Sequence, residues 1–159
     1  MLIFEEADLT DRTGTATAYS FYTIVTDGIQ WGQTSDTKQY PYIVDTGTSF
    51  LYLPSDLAAS INNAFSPKAK WDPLFGGYFV KCDATPPLLS IVIEGTPFMI
   101  QPQDLINKEL VHPLTEECIT TVGDGGPEGP WVLGDVFLKN VLAVFDYGHG
   151  QMRFYSRTY

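Results

Sequence analysis

The sequence predicts a mainly β fold with one or two short helices. Gly, Pro, Asn and Asp interrupt the apolar segments at short intervals, which is typical of short strands joined by turns. Of the 159 residues, 44% are hydrophobic and 14% aromatic, so the chain has enough apolar surface to bury a core. The length favours one folded unit over residues 1–159, either a domain or one lobe of a larger protein.

Two hairpins are predicted among the strands. Residues 19–32 alternate apolar and small polar side chains on either side of Asp27–Gly28, a dipeptide that favours a two-residue hairpin turn. Residues 89–100 show the same pattern around Glu94–Gly95. Because proline cannot donate a hydrogen bond to a neighbouring strand, Pro97 should place the second strand of this hairpin at a sheet edge.

Two segments predict helices. Residues 56–65 carry apolar side chains at helical spacing, with Ser55 placed to cap the helix and Pro67 to end it. The apolar face consists of Leu57, Ile61, Ala64 and Phe65. A second, shorter helix is expected over residues 136–139, with Asp135 as its N-cap and a strand after it.

Acidic residues outnumber basic ones, with 19 Asp and Glu against 9 Lys and Arg and a formal charge of −10. Such a chain is repelled by phosphate backbones and by anionic membrane surfaces, so we expect neither a nucleic acid nor a membrane as a partner. The apolar runs are too short to cross a bilayer. Glu5 and Glu6 follow the first four residues, so we expect no signal peptide in this chain.

The sequence gives no sign of a cofactor or metal. Residues 123–130 form a Gly- and Pro-rich segment without the Lys and the Ser or Thr of a phosphate-binding loop, and we expect a surface loop there. His112 and His149 lie in Pro- and Gly-flanked segments and are expected at the surface. Cys82 and Cys118 are a poor metal site, and they form either one disulfide or two buried thiols.

Asp45 stands out because it lies between two apolar β segments. Burying an ionised carboxylate costs several kcal/mol unless hydrogen-bond donors surround it. Candidate donors follow at once in the chain: Thr46, the Gly47 amide, Thr48 and Ser49. Two interpretations are open at this point, a carboxylate with a chemical function or an aspartate that organises a turn at the end of a strand.

Asp45-Thr-Gly-Thr-Ser after Ile43-Val44 resembles the active-site loop in the carboxy-terminal lobe of the pepsin-like aspartic peptidases. Residues 131–137 resemble the hydrophobic-hydrophobic-Gly segment that lies behind this loop in the family. Residues 144–146 and 152–155 fit the end of that lobe, and residues 2–8 are similar to its first strand, with Glu5 and Glu6 replacing two glycines. The resemblance spans nearly the whole chain and is to a fungal-type secreted member.

The resemblance implies that residues 1–159 are one carboxy-terminal lobe, with antiparallel sheets in a closed-barrel-like β domain and one or two short helices. It also implies a disulfide between Cys82 and Cys118. Since disulfides persist in oxidising compartments, we expect an extracellular or secretory or vacuolar location for the parent protein.

The family hydrolyses peptide bonds with two aspartates that share one proton, one activating water and the other protonating the carbonyl oxygen. By resemblance, Asp45 is one of these catalytic aspartates and Thr48 donates a hydrogen bond to its carboxylate. The rest of the loop supports the site: Thr46 would reach the opposite lobe, Gly47 brings the backbone close, and Ser49 follows. Ile43 and Val132 would line the substrate site, although plain core positions are an alternative for both.

The chain contains no second Asp-Thr-Gly or Asp-Ser-Gly, and Asp135 is a poor substitute if it caps a helix. We therefore expect a peptidase half, active at acidic pH on a peptide or protein substrate only with an amino-terminal lobe or with a second copy of itself. Pepstatin-type inhibitors would bind if a complete site forms. The alternatives are a stand-alone, non-catalytic lobe that serves as a binding or structural module, and a truncated or autolytic product without its own role.

Overall fold

The computed structural model describes residues 21–146 and 148–157, together with the backbone of residues 2–3. These residues form four β-sheets, two α-helices and one 3₁₀ turn. The mainly β prediction is therefore confirmed. None of the four sheets closes on itself within this part of the chain, so the closed-barrel-like arrangement is wrong.

The central sheet carries the Asp45 loop. Its five strands, in spatial order, are β13 (Val122–Asp124), β6 (Leu51–Leu53), β14 (Trp131–Leu133), β5 (Pro41–Val44) and β2 (Thr23–Val25). β14 runs parallel to β5 and antiparallel to β6, so it lies between two strands that follow each other in sequence. The loop that joins β5 to β6 therefore has to pass over the end of β14.

The hairpin sheet has four antiparallel strands, in the order β10 (Thr96–Ile100), β9 (Leu89–Ile93), β3 (Gly28–Trp31) and β4 (Thr34–Asp36). β9 and β10 form the predicted hairpin, with Ile93 opposite Thr96. Glu94 and Gly95 both have positive φ, 48° and 72°, as tight hairpin turns require. Pro97 lies on the edge strand, as predicted.

The hairpin predicted at Asp27–Gly28 is wrong. β2 pairs with β5 in the central sheet, whereas β3 pairs with β4 and β9 in the hairpin sheet, so Asp27–Gly28 joins two sheets. Gly28 has φ 141°, and a Cβ atom there would collide with the carbonyl oxygen of Asp36. Asp27 accepts a hydrogen bond from the Gly95 amide at 2.7 Å, which ties this connection to the β9–β10 turn.

The disulfide sheet consists of β11 (Ile106–Val111), β12 (Cys118–Thr120), β8 (Gly77–Val80) and β7 (Lys70–Asp72), all antiparallel. The Cys82–Cys118 disulfide is present and links the end of β8 to the start of β12. It confirms the pairing that the family resemblance implies.

The terminal sheet has the order β1 (Leu2–Ile3), β16 (Gln151–Ser156) and β15 (Val141–Asp146). Leu2 lies opposite Met152 and Ile3 opposite Gln151. Glu5 and Glu6, the two departures from the family pattern, lie outside the described residues.

Two α-helices, α1 (Ser55–Asn63) and α2 (Asp135–Leu138), and a 3₁₀ turn at Pro102–Asp104 complete the fold. Both helices were predicted, but the predicted N-caps, Ser55 and Asp135, are wrong. Each is the first residue of its helix, Pro54 and Gly134 occupy the cap positions, and neither helix has a side-chain cap. The Ser55 hydroxyl instead donates to the Asp124 carboxylate at 2.7 Å. Because its hydroxyl is hydrogen-bonded to Asp124, 69 residues away, Ser55 does not cap the helix.

The core is one contiguous cluster between the inner face of the central sheet, α1 and the hairpin sheet. Leu57, Ile61 and Phe65 of the predicted helix face are buried, whereas Ala64 is exposed and Ala58 takes its place. Fully buried side chains from the sheets include Tyr42, Leu51, Leu53, Leu89, Ile91, Ile100 and Leu133. Among the described residues no helix has the length and apolar content that crossing a membrane requires.

Candidate active site

Asp45 begins the loop between β5 and β6. In the described part of the chain, the hydrogen bonds to its carboxylate come from residues of this same loop. One oxygen, Oδ1, accepts the Gly47 amide at 2.9 Å, and the other, Oδ2, accepts the Thr48 hydroxyl at 2.6 Å. A Cβ atom on residue 47 would lie 3.2 Å from Oδ1, so glycine leaves room beside the carboxylate. All partners lie within three residues, which makes the arrangement a property of the local sequence.

These hydrogen bonds set the charge of Asp45. The Thr48 hydroxyl, and after it the Gly47 amide, lower the pKa of the Asp45 carboxyl, and the slight burial of the side chain opposes them only weakly. Asp45 is therefore an ionised carboxylate over an extended acidic range. An ionised carboxylate can accept a proton from water, but it cannot donate one.

β14 and α2 fix the loop from behind. The Leu133 carbonyl accepts the Asp45 amide at 3.2 Å, and the amides of Asp135 and Val136 donate to the carbonyls of Thr48 and Ser49 at 2.7 and 3.1 Å. A Cβ atom on Gly134 would collide with the carbonyl oxygens of the loop, so a side chain is excluded there. Residues 131–137 thus lie behind the loop, as their resemblance to the family segment implies.

The outer face of the central sheet runs up to Asp45. Side chains alternate along a strand, so Ile43 faces the same side as Asp45. Ile43 and Val132 are opposite each other on β5 and β14, and both are half-buried. Tyr52 lies opposite Val132 on β6 with 37% of its side chain exposed. These residues form an exposed row, which we call the outer row: Ile43, Val132 and Tyr52.

The structure brings the predicted site residues together at one end of this sheet, with Thr46, Gly47 and Ser49 exposed and Thr48 half-buried. Tyr52 also lies at this site, although it was not predicted as a site residue. Its signal was the alternation of Leu51, Tyr52 and Leu53, which places the tyrosine on the face opposite the core. A Cβ atom on Gly123 would lie 2.8 Å from the Tyr52 ring, so the glycine makes room for this side chain.

Other candidates lie away from Asp45. His112 is 5% exposed and hydrogen-bonded to Asp72, so its predicted surface position is wrong; His149 is exposed, as predicted. The Gly- and Pro-rich segment is a loop only after β13, since Gly123 and Asp124 belong to that strand. Within the described ranges, no group of three or more His, Cys, Asp or Glu residues has the arrangement of a metal site.

Comparison with known proteins decides what this arrangement represents. A family model described as eukaryotic aspartyl protease matches residues 7–156. The chain belongs to the eukaryotic aspartyl protease family. Its relatives include a probable aspartic-type endopeptidase of Aspergillus fumigatus, 37% identical over 152 residues. Gastricsin of Cavia porcellus is 35% identical over 114 residues, and a probable aspartic-type endopeptidase of Arthroderma otae is 31% identical over 160 residues.

These matches cover most of this aspartyl protease chain but a minor part of each relative. The three alignments span 92%, 70% and 94% of the chain and 35%, 28% and 41% of the relatives. The chain thus spans about a third of the length of the curated relatives it matches. The two fungal relatives carry the name of aspartic-type endopeptidases and support that enzyme class at the level of the family.

Proposed function

We propose that the chain is the carboxy-terminal half of an aspartic endopeptidase and supplies one of its two catalytic aspartates, Asp45. The observation that carries the proposal is the half-exposed Asp45 carboxylate, held ionised by Thr48 and Gly47 at the end of an exposed apolar row. A carboxylate that serves only a turn would not need an apolar surface beside it.

In the proposed reaction Asp45 is the base. Its carboxylate takes a proton from a water molecule, and the water oxygen bonds to the carbon of the peptide carbonyl. The carbonyl oxygen receives a proton from a second aspartate. The C–N bond of the tetrahedral intermediate then breaks as the proton held by Asp45 passes to the nitrogen and one hydroxyl of the intermediate returns a proton to the second aspartate. Since the hydrogen bonds to the Asp45 carboxylate in the described residues come from Gly47 and Thr48, the acid has to come from elsewhere.

We infer that an amino-terminal lobe, or a second copy of the chain, provides that acid. The outer row of Ile43, Val132 and Tyr52 leaves a partly exposed apolar surface next to the site. Apolar surface of this kind is typical of contacts between proteins or with a ligand. In this proposal the partner closes over Thr46, and Ile43 and Val132 line the groove for the peptide substrate.

The proposed location of the parent protein is extracellular or secretory or vacuolar. The Cys82–Cys118 disulfide supports an oxidising compartment. A surplus of carboxylates also suits acidic conditions, because protonation relieves their mutual repulsion.

The test is cleavage of a denatured protein at acidic pH by the chain alone and by the chain mixed with an amino-terminal lobe from a relative. We expect little or no cleavage by the chain alone, and cleavage by the mixture that a pepstatin-type inhibitor blocks. Asp45→Asn should abolish it, whereas Asp135→Asn, at the neighbouring carboxylate, should retain it. Cleavage by the Asp45→Asn mixture would contradict the proposal.

The same mixtures distinguish the alternatives. Cleavage by the chain alone that depends on Asp45 would indicate a site formed by two copies. Tight association of the two lobes without cleavage would favour a non-catalytic binding or structural module. No association and no cleavage would favour a product without its own role.

Sedimentation tests the apolar surface separately. We expect the isolated chain to self-associate with rising concentration, because the outer row lacks its partner. Val132→Lys should weaken this association, and Leu114→Lys, at an exposed leucine in the turn between β11 and β12, should leave it unchanged. A wild-type chain that stays monomeric at high concentration would contradict the expectation.

A further inference from the structure

His112 connects two turns of the disulfide sheet. It lies at the end of β11, where its ring is buried against the edges of the Phe75 and Phe79 rings. Nδ1 accepts two backbone amides, from Leu114 at 3.2 Å and Thr115 at 3.1 Å. On the opposite side of the ring, Nε2 lies 3.2 Å from the carboxylate of Asp72.

These contacts assign the proton on the ring. A nitrogen that accepts two N–H groups carries no proton of its own, so the single proton of the neutral ring lies on Nε2 and points to Asp72. Burial acts to raise the pKa of Asp72, but the Leu74 and Phe75 amides and His112 together lower it. Asp72 is therefore ionised and is the natural acceptor for Nε2–H.

Among the described residues, three side chains each accept the backbone amides two and three residues ahead. Asp72 Oδ1 accepts the amides of residues 74 and 75 at 2.8 and 3.2 Å, and Asn107 Oδ1 accepts those of residues 109 and 110 at 2.9 and 3.1 Å. His112 holds the amides two and three residues ahead in the same way. His112 differs from the other two in that its acceptor is an imidazole nitrogen, which becomes a donor when it takes up a proton.

We propose that His112 is a pH-sensitive latch, which holds the turn of residues 112–117 while the ring is neutral and releases it when Nδ1 takes up a proton. Protonated Nδ1 faces the Leu114 and Thr115 amides as a donor, so the two amides lose the acceptor that holds the turn. The bond between Nε2–H and Asp72 gains charge at the same step and becomes stronger. Protonation of His112 thus releases the turn of residues 112–117 and retains the contact with the turn at Asp72.

The groups around His112 come from β7, β8, β12 and its own turn. Asp72, at the end of β7, is the carboxylate in contact with the ring, and β8 contributes the uncharged Phe79. Within its own turn, Glu116 donates its amide to the His112 carbonyl and Glu117 accepts the His112 amide through its backbone carbonyl. Cys118, which follows on β12, is in the disulfide and does not titrate. Lys81 and Lys108 line the same surface pocket as Glu116 and Glu117, so charges of both signs lie around this turn.

The experiment measures amide hydrogen exchange and side-chain ¹⁵N shifts of the full chain by NMR between neutral and mildly acidic pH. We expect the protection of Leu114 and Thr115, corrected for intrinsic exchange, to fall about tenfold as Nδ1 of His112 becomes protonated. Glu109 and Leu110 should keep their protection, because Asn107 does not titrate. An equal loss at the amides of β9 would indicate global unfolding and overturn the proposal.

His112→Asn provides the matched variant, because its Oδ1 replaces Nδ1 as an acceptor that stays unprotonated. The drop in protection should disappear in this variant and persist in His149→Asn, where the exposed histidine is removed. A drop of the same size in His112→Asn would overturn the latch. If His112→Asn does not fold, the wild-type data still test the latch. Different pH midpoints for the His112 ring ¹⁵N shifts and for the protection of the Leu114 and Thr115 amides would overturn it.

Discussion

Asp45 and Asp72 begin the same kind of turn and differ in where the second carboxylate oxygen is bound. Each accepts the amide two residues ahead, Gly47 at 2.9 Å and Leu74 at 2.8 Å. The other oxygen of Asp45 takes a hydroxyl from its own loop, whereas that of Asp72 takes His112, 40 residues away. The Asp45 carboxylate is thus oriented by its own loop, and in the part of the chain that the structure describes it makes no hydrogen bond to a distant element. The Asp72 carboxylate connects two distant parts of the fold.

The largest effect should come from exchanging the two carboxylates for amides. In the assembled two-lobe enzyme, Asp45→Asn should lower the rate of peptide cleavage by about a thousandfold or more, because a general base is lost. Asp72→Asn should leave that rate unchanged and lower the melting temperature. Cleavage assays at one acidic pH and thermal unfolding of both variants distinguish a loss of activity from a loss of stability. Similar activity losses in both variants would contradict a catalytic role for Asp45 and a structural role for Asp72.

Removal of the disulfide should affect the disulfide sheet strongly and the Asp45 loop weakly. The Cys82–Cys118 bond closes a loop of 36 residues, so the double Ser variant should lose about 3–4 kcal/mol of unfolding free energy. Urea denaturation measures this loss. A ¹³C titration of the Asp45 carboxyl in the same variant should match the wild type, and a changed titration would show that the regions are coupled.

A methyl group at Gly134 should disturb the site from behind. Gly134→Ala places its Cβ against the carbonyls of Thr48 and Phe50, and overpacking of this kind costs about 1–3 kcal/mol. Gly148→Ala is the matched control, since its Cβ would have only Asp146 nearby at 3.7 Å. Urea denaturation of both variants checks the difference. Equal unfolding free energies for the two variants would mean that the backbone at residue 134 can shift to accommodate the methyl group.

The smallest effect should come from the hydroxyl beside Asp45. Thr48→Val removes the main cause of the lowered pKa, so the pKa of Asp45 should rise towards that of an ordinary carboxyl. A lowered pKa adds stability that is complete above the ordinary carboxyl pKa and is lost as pH falls through the folded value. Thr48→Val should move this loss to higher pH. The carboxyl ¹³C titration measures the shift, and the exposed Thr46→Val should show none.

The sequence was most informative where a residue finds its partners nearby. The donors to Asp45 lie two and three residues ahead, and the Glu94–Gly95 turn joins adjacent strands, so both could be predicted. Ser55 failed as a cap because Asp124, 69 residues away, takes its hydroxyl. The burial of His112 depends on Asp72 and the ring of Phe79, which no local pattern reveals.

The Asp27–Gly28 turn shows the same limit at the level of sheets. Its composition favours a hairpin, but the choice of partner for β2 and β3 depends on β5 and β9, which come later in the chain. The Asp45 motif succeeded for a further reason: residues 131–137 supplied a second, distant segment with its own sequence pattern. Two separated motifs indicate a contact that one motif alone does not.

The position of β14 has a consequence for the order of folding. β5 and β6 cannot pair directly, because the strand between them is made more than 75 residues after the end of β6. Until Leu133 arrives, the Asp45 amide has no acceptor, and the Thr48 and Ser49 carbonyls have no donors from α2. Contacts of such long range form slowly. The local hydrogen bonds to the Asp45 carboxylate can form early, but the backbone of its loop is fixed only after β14 and α2 have been synthesised.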